Sequence, residues 1–246
     1  MKDRSVVLTG GASGIGRATA LLLAREGARV FVGDANEDGG RTVEREAQAE
    51  NLAVTCHYLE LTDAASVAAF AAVVQRGTSR IDGLVNAAGW DIIQPFLENT
   101  PELWDRVIAI NLMGSIRLTR LLLEGMIAQG GGKIVNVASD AGRVGSTGET
   151  VYAAAKGGLI AFTKSLAREM ARHRINVNCV CPGPTDTPLF LRQPEKMREA
   201  LIRAIPLKRA ARPEEIAEAV MFFLGRRTDY ITGQVLSVSG GLTMAD

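Results

Sequence analysis

The chain has 246 residues, 28 of them Lys or Arg and 27 Asp or Glu, for a formal net charge of +1; 47% are hydrophobic. That balance gives no global electrostatic case for nucleic acid or an anionic membrane surface, and the length suits one large domain with a substantial core. No apolar run approaches the roughly 18 residues of a membrane span, and Met1-Lys2-Asp3-Arg4 leads straight into an apolar stretch with no separable signal peptide, so a cytoplasmic protein is expected.

Short runs rich in Val and Ile alternate with longer helical patterns, the order that a parallel sheet wrapped by helices requires. A strand over 5–9 ends in Thr9-Gly10-Gly11-Ala12-Ser13-Gly14-Ile15-Gly16, and a helix over 15–26 begins at once. Glycines in such a turn let the backbone approach a ligand, and the helix N-terminus offers N–H groups and a positive dipole end to phosphate. The next strand, 29–34, closes on Asp34, eighteen residues beyond Gly16. A carboxylate there accepts hydrogen bonds from adenosine ribose hydroxyls and repels a 2′-phosphate, and Ser13 supplies no cation for one. The expected cofactor is therefore NAD.

A helix over 37–50, a strand over 53–59 and a helix over 64–75 lead to a strand over 83–87, which runs into Asn86-Ala87-Ala88-Gly89. The pattern over 101–129 reads as one long helix with Asn111 set among Ile108, Ile110 and Leu112. A strand over 133–138 stops at Ser139, and a helix over 151–172 carries Tyr152 and Lys156 four residues apart, hence on one face. A phenol is a poor base near neutrality, and a nearby cation favours its phenolate. Taken alone, such a pair reads more often as a half-buried Tyr capped by a surface Lys.

The strand over 175–181 places Cys179 and Cys181 on one face; with Cys56 they form neither a metal quartet nor a disulfide framework. No metal site is expected. Between Pro182 and Pro213 lie about thirty residues with four further prolines, a length typical of lids, so a lid is expected at about 184–212. A helix over 213–224 and a strand over 234–238 complete a single α/β domain over 1–246. Its expected form is a doubly wound Rossmann fold, a seven-stranded parallel sheet flanked by helices on both faces.

Thr9-Gly10 with Gly14-Ile15-Gly16, Asn86-Ala87-Ala88-Gly89, Asn111, Ser139, Tyr152 with Lys156, and Pro182-Gly183-Pro184-Thr185-Asp186-Thr187 resemble, in order, the motifs of the short-chain dehydrogenase/reductase family. The resemblance implies a homotetrameric oxidoreductase in which Tyr152 is the general base for alcohol oxidation or the acid for ketone reduction. Lys156 would lower the phenol's pKa and bind the nicotinamide ribose. Ser139 would bind the reacting oxygen, and Asn111 would hold a relay water. It also implies cofactor contacts from Gly10, Ser13, Gly14, Ile15, Gly16, Asp34, Glu60, Leu61, Asn86, Ala88, Gly89, Pro182, Gly183, Thr185 and Thr187. The chain departs from the family pattern at Ala87, where a second Asn is common, and at Glu60, where Asp is usual.

Substrate contacts are expected from Trp90, Asp91, Ala141, Arg143, Glu149 and Leu189. Asp91, Asp140 and Glu149 make this region acidic, with Arg143 its one expected cation, which disfavours a small free hydroxy acid. From Arg192 to Arg212, seven basic residues face two acids among interspersed apolar ones, a pattern that suits an acyl chain on a phosphate-rich handle. The segments around Trp90, Ser139–Ser146, Cys181–Thr187 and Ile231–Met244 resemble a branch of the family that oxidises a ring alcohol β to a coenzyme A thioester. An acyl-CoA thioester is therefore the expected substrate, with no nucleic-acid or membrane partner.

Overall fold

The computed structural model describes residues 1–245; the expected domain's last residue, Asp246, lies outside the described residues. Seven strands form one sheet in the order β3-β2-β1-β4-β5-β6-β7, every pair parallel. They are β1 (Ser5–Thr9), β2 (Arg29–Asp34), β3 (Val54–Tyr58), β4 (Gly83–Asn86), β5 (Gly132–Val137), β6 (Ile175–Pro182) and β7 (Val235–Val238). The helices are α1 (Gly14–Arg25), α2 (Glu37–Ala49), α3 (Ala64–Gly77), α4 (Pro101–Ile108), α5 (Gly114–Ala128), α6 (Ala141–Val144), α7 (Thr150–Met170), α8 (Pro188–Leu191), α9 (Glu195–Ala204) and α10 (Pro213–Leu224).

Side chains alternate across a strand, so both faces of the sheet must be covered. Val6 and Leu8 join Leu21, Leu23, Val43, Ile216 and Val220 on the face covered by α1, α2 and α10. Val7 points the other way, onto Phe70, Leu118, Leu122 and Leu166 under α3, α5 and α7. The strand order reverses between β1 and β4, which opens a crevice at the carboxyl ends of the strands where ligands bind in doubly wound sheets. The turn after β1 and the loop after β4 flank it.

Two expectations need correcting. The helix expected over 101–129 is interrupted by a wide, π-type turn at Ala109–Met113, and Asn111 at its centre is fully buried. Asn111 Nδ2 donates to Val107 O (2.9 Å) and to Trp90 O (2.7 Å), so a tertiary partner sustains the distortion. The connection after β6 is also more regular than its prolines suggest. Pro188 starts α8, where Thr187 Oγ1 accepts from Phe190 N (3.3 Å), and α9 follows Pro194. No described helix is long and apolar enough to cross a membrane.

Candidate active site

A cleft of about 420 Å³ runs along the carboxyl ends of the strands. One side is built from Gly10, Ser13, Gly14, Ile15 and Gly16. This turn is compact because its glycines have no Cβ atoms to accommodate. A Cβ on Gly10 (φ +77°) would sit 2.6 Å from Ala88 Cα, and one on Gly16 would sit 2.0 Å from Gly10 O. Ser13 precedes α1 without a side-chain cap, which leaves the first-turn N–H groups without intrahelical partners beside the cleft. A glycine cradle at an uncapped helix N-terminus fits the pyrophosphate of a dinucleotide.

Asp34 lines the cleft and braces this turn. Its carboxylate accepts from Ala12 N and from Asn36 N, both at 2.9 Å. Glu60 and Leu61 line the same end, with Glu60 Oε1 accepting from Thr62 N and Thr62 Oγ1. Ala88, Gly89, Pro182 and Thr187 also line it, and a Cβ on Gly14 would lie 3.1 Å from Thr187 Cγ2. Asn86, Gly183 and Thr185 stand outside the lining. Asn86 is buried beneath it, where its Nδ2 donates to Asn136 Oδ1 (2.8 Å) and Thr119 Oγ1 (3.2 Å). Gly183 lets β6 end close against Ser239, and Thr185 Oγ1 donates to Gly183 O (2.9 Å). These three residues shape the wall from behind.

Ser139, Tyr152 and Lys156 meet at the inner end of the cleft. Ser139 Oγ accepts from Ala141 N (3.1 Å), which fixes the hydroxyl at the start of α6. Lys156 is buried; its Nζ donates to Val137 O (3.0 Å) and lies 5.6 Å from the Tyr152 ring centroid. A Cβ on Gly89 would touch both Asn111 Oδ1 (3.3 Å) and Lys156 Nζ (3.5 Å), so the four residues form one cluster with Asn111 behind the lining. Burial lowers Lys156 to about 8. It also pushes the Tyr152 phenol above its ordinary value; Glu149 and Asp91 add to that push, and a hydrogen bond with Ser139 opposes it. The push is thus upward, opposite to the lowering that the resemblance assigns to Lys156.

The expected substrate residues divide. Trp90 and Leu189 line the cleft; Asp91, Ala141, Arg143 and Glu149 do not. Arg143 is turned away, donating from Nη1 to Ser237 Oγ (2.8 Å) and from Nη2 to Ala245 O, while Ser237 Oγ donates to Asp140 Oδ1. Asp91 and Glu149 lie beside Tyr152, on segments joined by the Gln94 N to Gly148 O bond (3.1 Å). Burial, reinforced by Glu149, raises Asp91 to about 7, and burial also raises Glu149. Two cations absent from the expected set, Arg106 and Arg192, line the cleft. The i,i+4 spacing of Arg106 and Ile110, both lining residues, was the readable signal for the first. The three cysteines are free, and among the described residues no group of three His, Cys, Asp or Glu side chains is placed to hold a metal.

Residues 10–243 match the family model described as enoyl-(acyl carrier protein) reductase. The chain belongs to the short-chain dehydrogenase/reductase family. It is an oxidoreductase of the kind that works between CH–OH and keto groups. Similar short-chain family members include the 3-oxoacyl-[acyl-carrier-protein] reductase FabG of Thermotoga maritima, 39% identical over 99% of both chains. The acetoacetyl-CoA reductase of Synechocystis is 39% identical over 98% of this chain and 96% of the relative. The (3R)-3-hydroxyacyl-CoA dehydrogenase of Canis lupus familiaris is 35% identical over 99% and 98%. Among solved structures, a single-residue variant of the actinorhodin polyketide ketoreductase with NADPH superposes with a TM-score of 0.93, at 33% identity and over 98% and 99% of the two chains.

Proposed function

We propose that this short-chain dehydrogenase/reductase uses NAD to oxidise a β-hydroxyacyl-CoA, 2-hydroxycyclohexane-1-carboxyl-CoA or a related thioester, to its β-oxo form. The substrate reading rests on the distribution of charge. Arg143 is bound elsewhere, so the cation expected for a free carboxylate does not reach the cleft, and the carboxyls of Asp91 and Glu149 lie beside Tyr152. A thioester is neutral at that end. The relatives named for acetoacetyl-CoA and 3-hydroxyacyl-CoA support the same class. Asp34 supports NAD, because a 2′-phosphate beside its carboxylate would be repelled.

In this reading the glycine turn and the first turn of α1 hold the dinucleotide's phosphates, and Asp34 holds the adenosine ribose. A nicotinamide cofactor held by these residues would supply the hydride acceptor. Ser139 hydrogen-bonds the substrate oxygen and orients it. Tyr152 exchanges the proton with that oxygen, and Lys156 binds the nicotinamide ribose. Asn111 has both Nδ2 hydrogens on the backbone, so the relay water rests on the widened turn that Asn111 maintains. Residues 184–212 form the lid. A cytoplasmic homotetramer completes the reading, supported by exposed Phe222, Leu236 and Met244, apolar surface suited to self-association.

A second reading, reduction of a 3-oxoacyl thioester, is favoured by the relatives named as 3-oxoacyl-[acyl-carrier-protein] and acetoacetyl-CoA reductases, and burial pushes the Tyr152 phenol in the direction that suits a proton donor. NADH formation across hydroxyacyl-CoAs, free hydroxy acids and simple cyclic alcohols, repeated with NADP⁺ and in reverse, tests both. Activity is expected with the CoA thioesters and NAD⁺. Equal rates on free acids or simple alcohols would overturn the thioester reading, and a preference for NADP⁺ would overturn the assignment to Asp34.

A further inference from the structure

Arg106 and Arg192 line the cleft but take no part in the proton chemistry at Tyr152. Arg106 lays its guanidinium 4.3 Å from the centroid of the Trp90 ring. Trp90 is fixed in turn by Asn111, which accepts from its N–H (3.2 Å) and donates to its carbonyl (2.7 Å). Glu102 stands one turn before Arg106 on α4, yet no ion pair forms with it or with any other described carboxylate. A cation steadied by an aromatic face is positioned without being neutralised, and its N–H edge stays free to bind two oxygens of a phosphate group.

Arg192 follows α8 on the other side of the cleft and also lacks an ion pair among the described residues. Of the other basic residues of this segment, Arg203 pairs with Glu199, and Arg209 and Arg212 pair with Glu215, while Lys196 and Arg198 form no ion pair among the described residues and do not line the cleft. The cleft thus carries two uncompensated arginines, while its lining acids are Asp34, which ends β2, and Glu60, which follows β3. The dinucleotide phosphates have their own donors at the α1 N-terminus. That turn belongs to the sheet face covered by α1, α2 and α10, whereas Arg106 stands just before the wide turn leading into α5, which packs on the opposite face. Arg106 is therefore available to a second phosphorylated group.

We infer that Arg106 on its Trp90 platform, with Arg192, forms a phosphate-recognition site for the substrate's carrier rather than for the dinucleotide. The inference rests on the thioester reading above and adds which residues select the phosphorylated carrier. Each arginine contributes charge-assisted hydrogen bonds, which are stronger than neutral ones.

The test compares acetoacetyl-CoA with acetoacetyl-N-acetylcysteamine, which carries the same acyl group without phosphate, as substrates for reduction by NADH. Arg106→Gln is expected to raise KM for the CoA thioester about tenfold and Arg192→Gln about threefold, with kcat, KM for the phosphate-free thioester and the Kd for NADH unchanged. In the wild type, added salt should raise only the CoA thioester's KM. Binding of free coenzyme A to the NAD-loaded protein, followed by Trp fluorescence, needs no turnover and should weaken in Arg106→Gln. Equal KM increases for both thioesters, or a weakened NADH Kd without loss of coenzyme A binding, would overturn the site. Turnover without phosphate discrimination sinks this inference alone. Coenzyme A binding without turnover of either thioester sinks the proposed reaction and leaves the site standing.

Discussion

The inner wall of the cleft, from β4, β5 and α7, is buried and cross-linked, whereas the wall from Pro182 to Arg212 is exposed and pinned at few points. Behind the inner wall Asn86 donates to Asn136, Asn136 donates to Thr163, and Lys156 donates to Val137 O. On the outer wall, α9 buries no residue completely, and the segment is tied down by the bridge between Thr185 and Ala211, the Leu207 N to Gly240 O bond (3.2 Å) and the buried side chains of Phe190 and Ile205. Elements with few buried contacts open at lower free-energy cost. In the proposed reaction the difference would separate two tasks: the inner wall would hold the proton-transfer geometry, and the outer wall would admit and release a bulky ligand.

The sharpest way to break this comparison is Tyr152→Phe, which should cut turnover by about 10²–10⁴-fold while leaving NADH affinity intact. Steady-state kinetics and nucleotide titration on one preparation check it; an equal loss of binding would show that the inner wall is scaffold rather than chemistry. Next in size, Gly10→Ala forces a Cβ to 2.6 Å from Ala88 Cα at φ +77° and should weaken NADH binding at least about tenfold. Calorimetric titration reads that loss. Asp34→Ala should then narrow the preference for NAD over NADP by about tenfold, measured as the ratio of the two kcat/KM values.

The smallest effect concerns pH. Asp91, raised to about 7, binds a proton in the folded state that the unfolded chain has released above its ordinary value of 3.8. Its contribution to stability is full below that ordinary value and is lost as pH rises through about 7. Between pH 4 and 7.5 the thermal midpoint of Asp91→Asn should therefore gain on that of the wild type; parallel curves would show that the carboxyl is solvated like any surface acid.

The sheet was legible because fully buried parallel strands read as short β-branched runs, and the Gly10–Gly16 turn and Asp34 follow from β1 and β2. The misreadings share a cause in long-range partners. Arg143 looks like a pocket cation because it stands four residues from Ser139, yet its partners Ser237 and Ala245 are 94 and 102 residues away. The break in the helix at Asn111 depends on the Trp90 carbonyl, 21 residues back, which no local propensity encodes. Helix α9 was hidden by flanking prolines that cap it rather than dissolve it. The spacing of Arg106 and Ile110 was readable, but Arg106 meets Trp90 only through the tertiary fold, 16 residues back in the chain.

The wide turn at Ala109–Met113 also makes α4 sensitive to length. Each residue advances a regular helix by about 100°. Deleting one residue between Trp90 and Asn111, however inert its side chain, would swing Arg106 off the indole or draw Asn111 away from the Trp90 carbonyl. Counting residues across this interval is therefore a better guide than comparing their identities when asking which relatives keep the same mouth to the cleft.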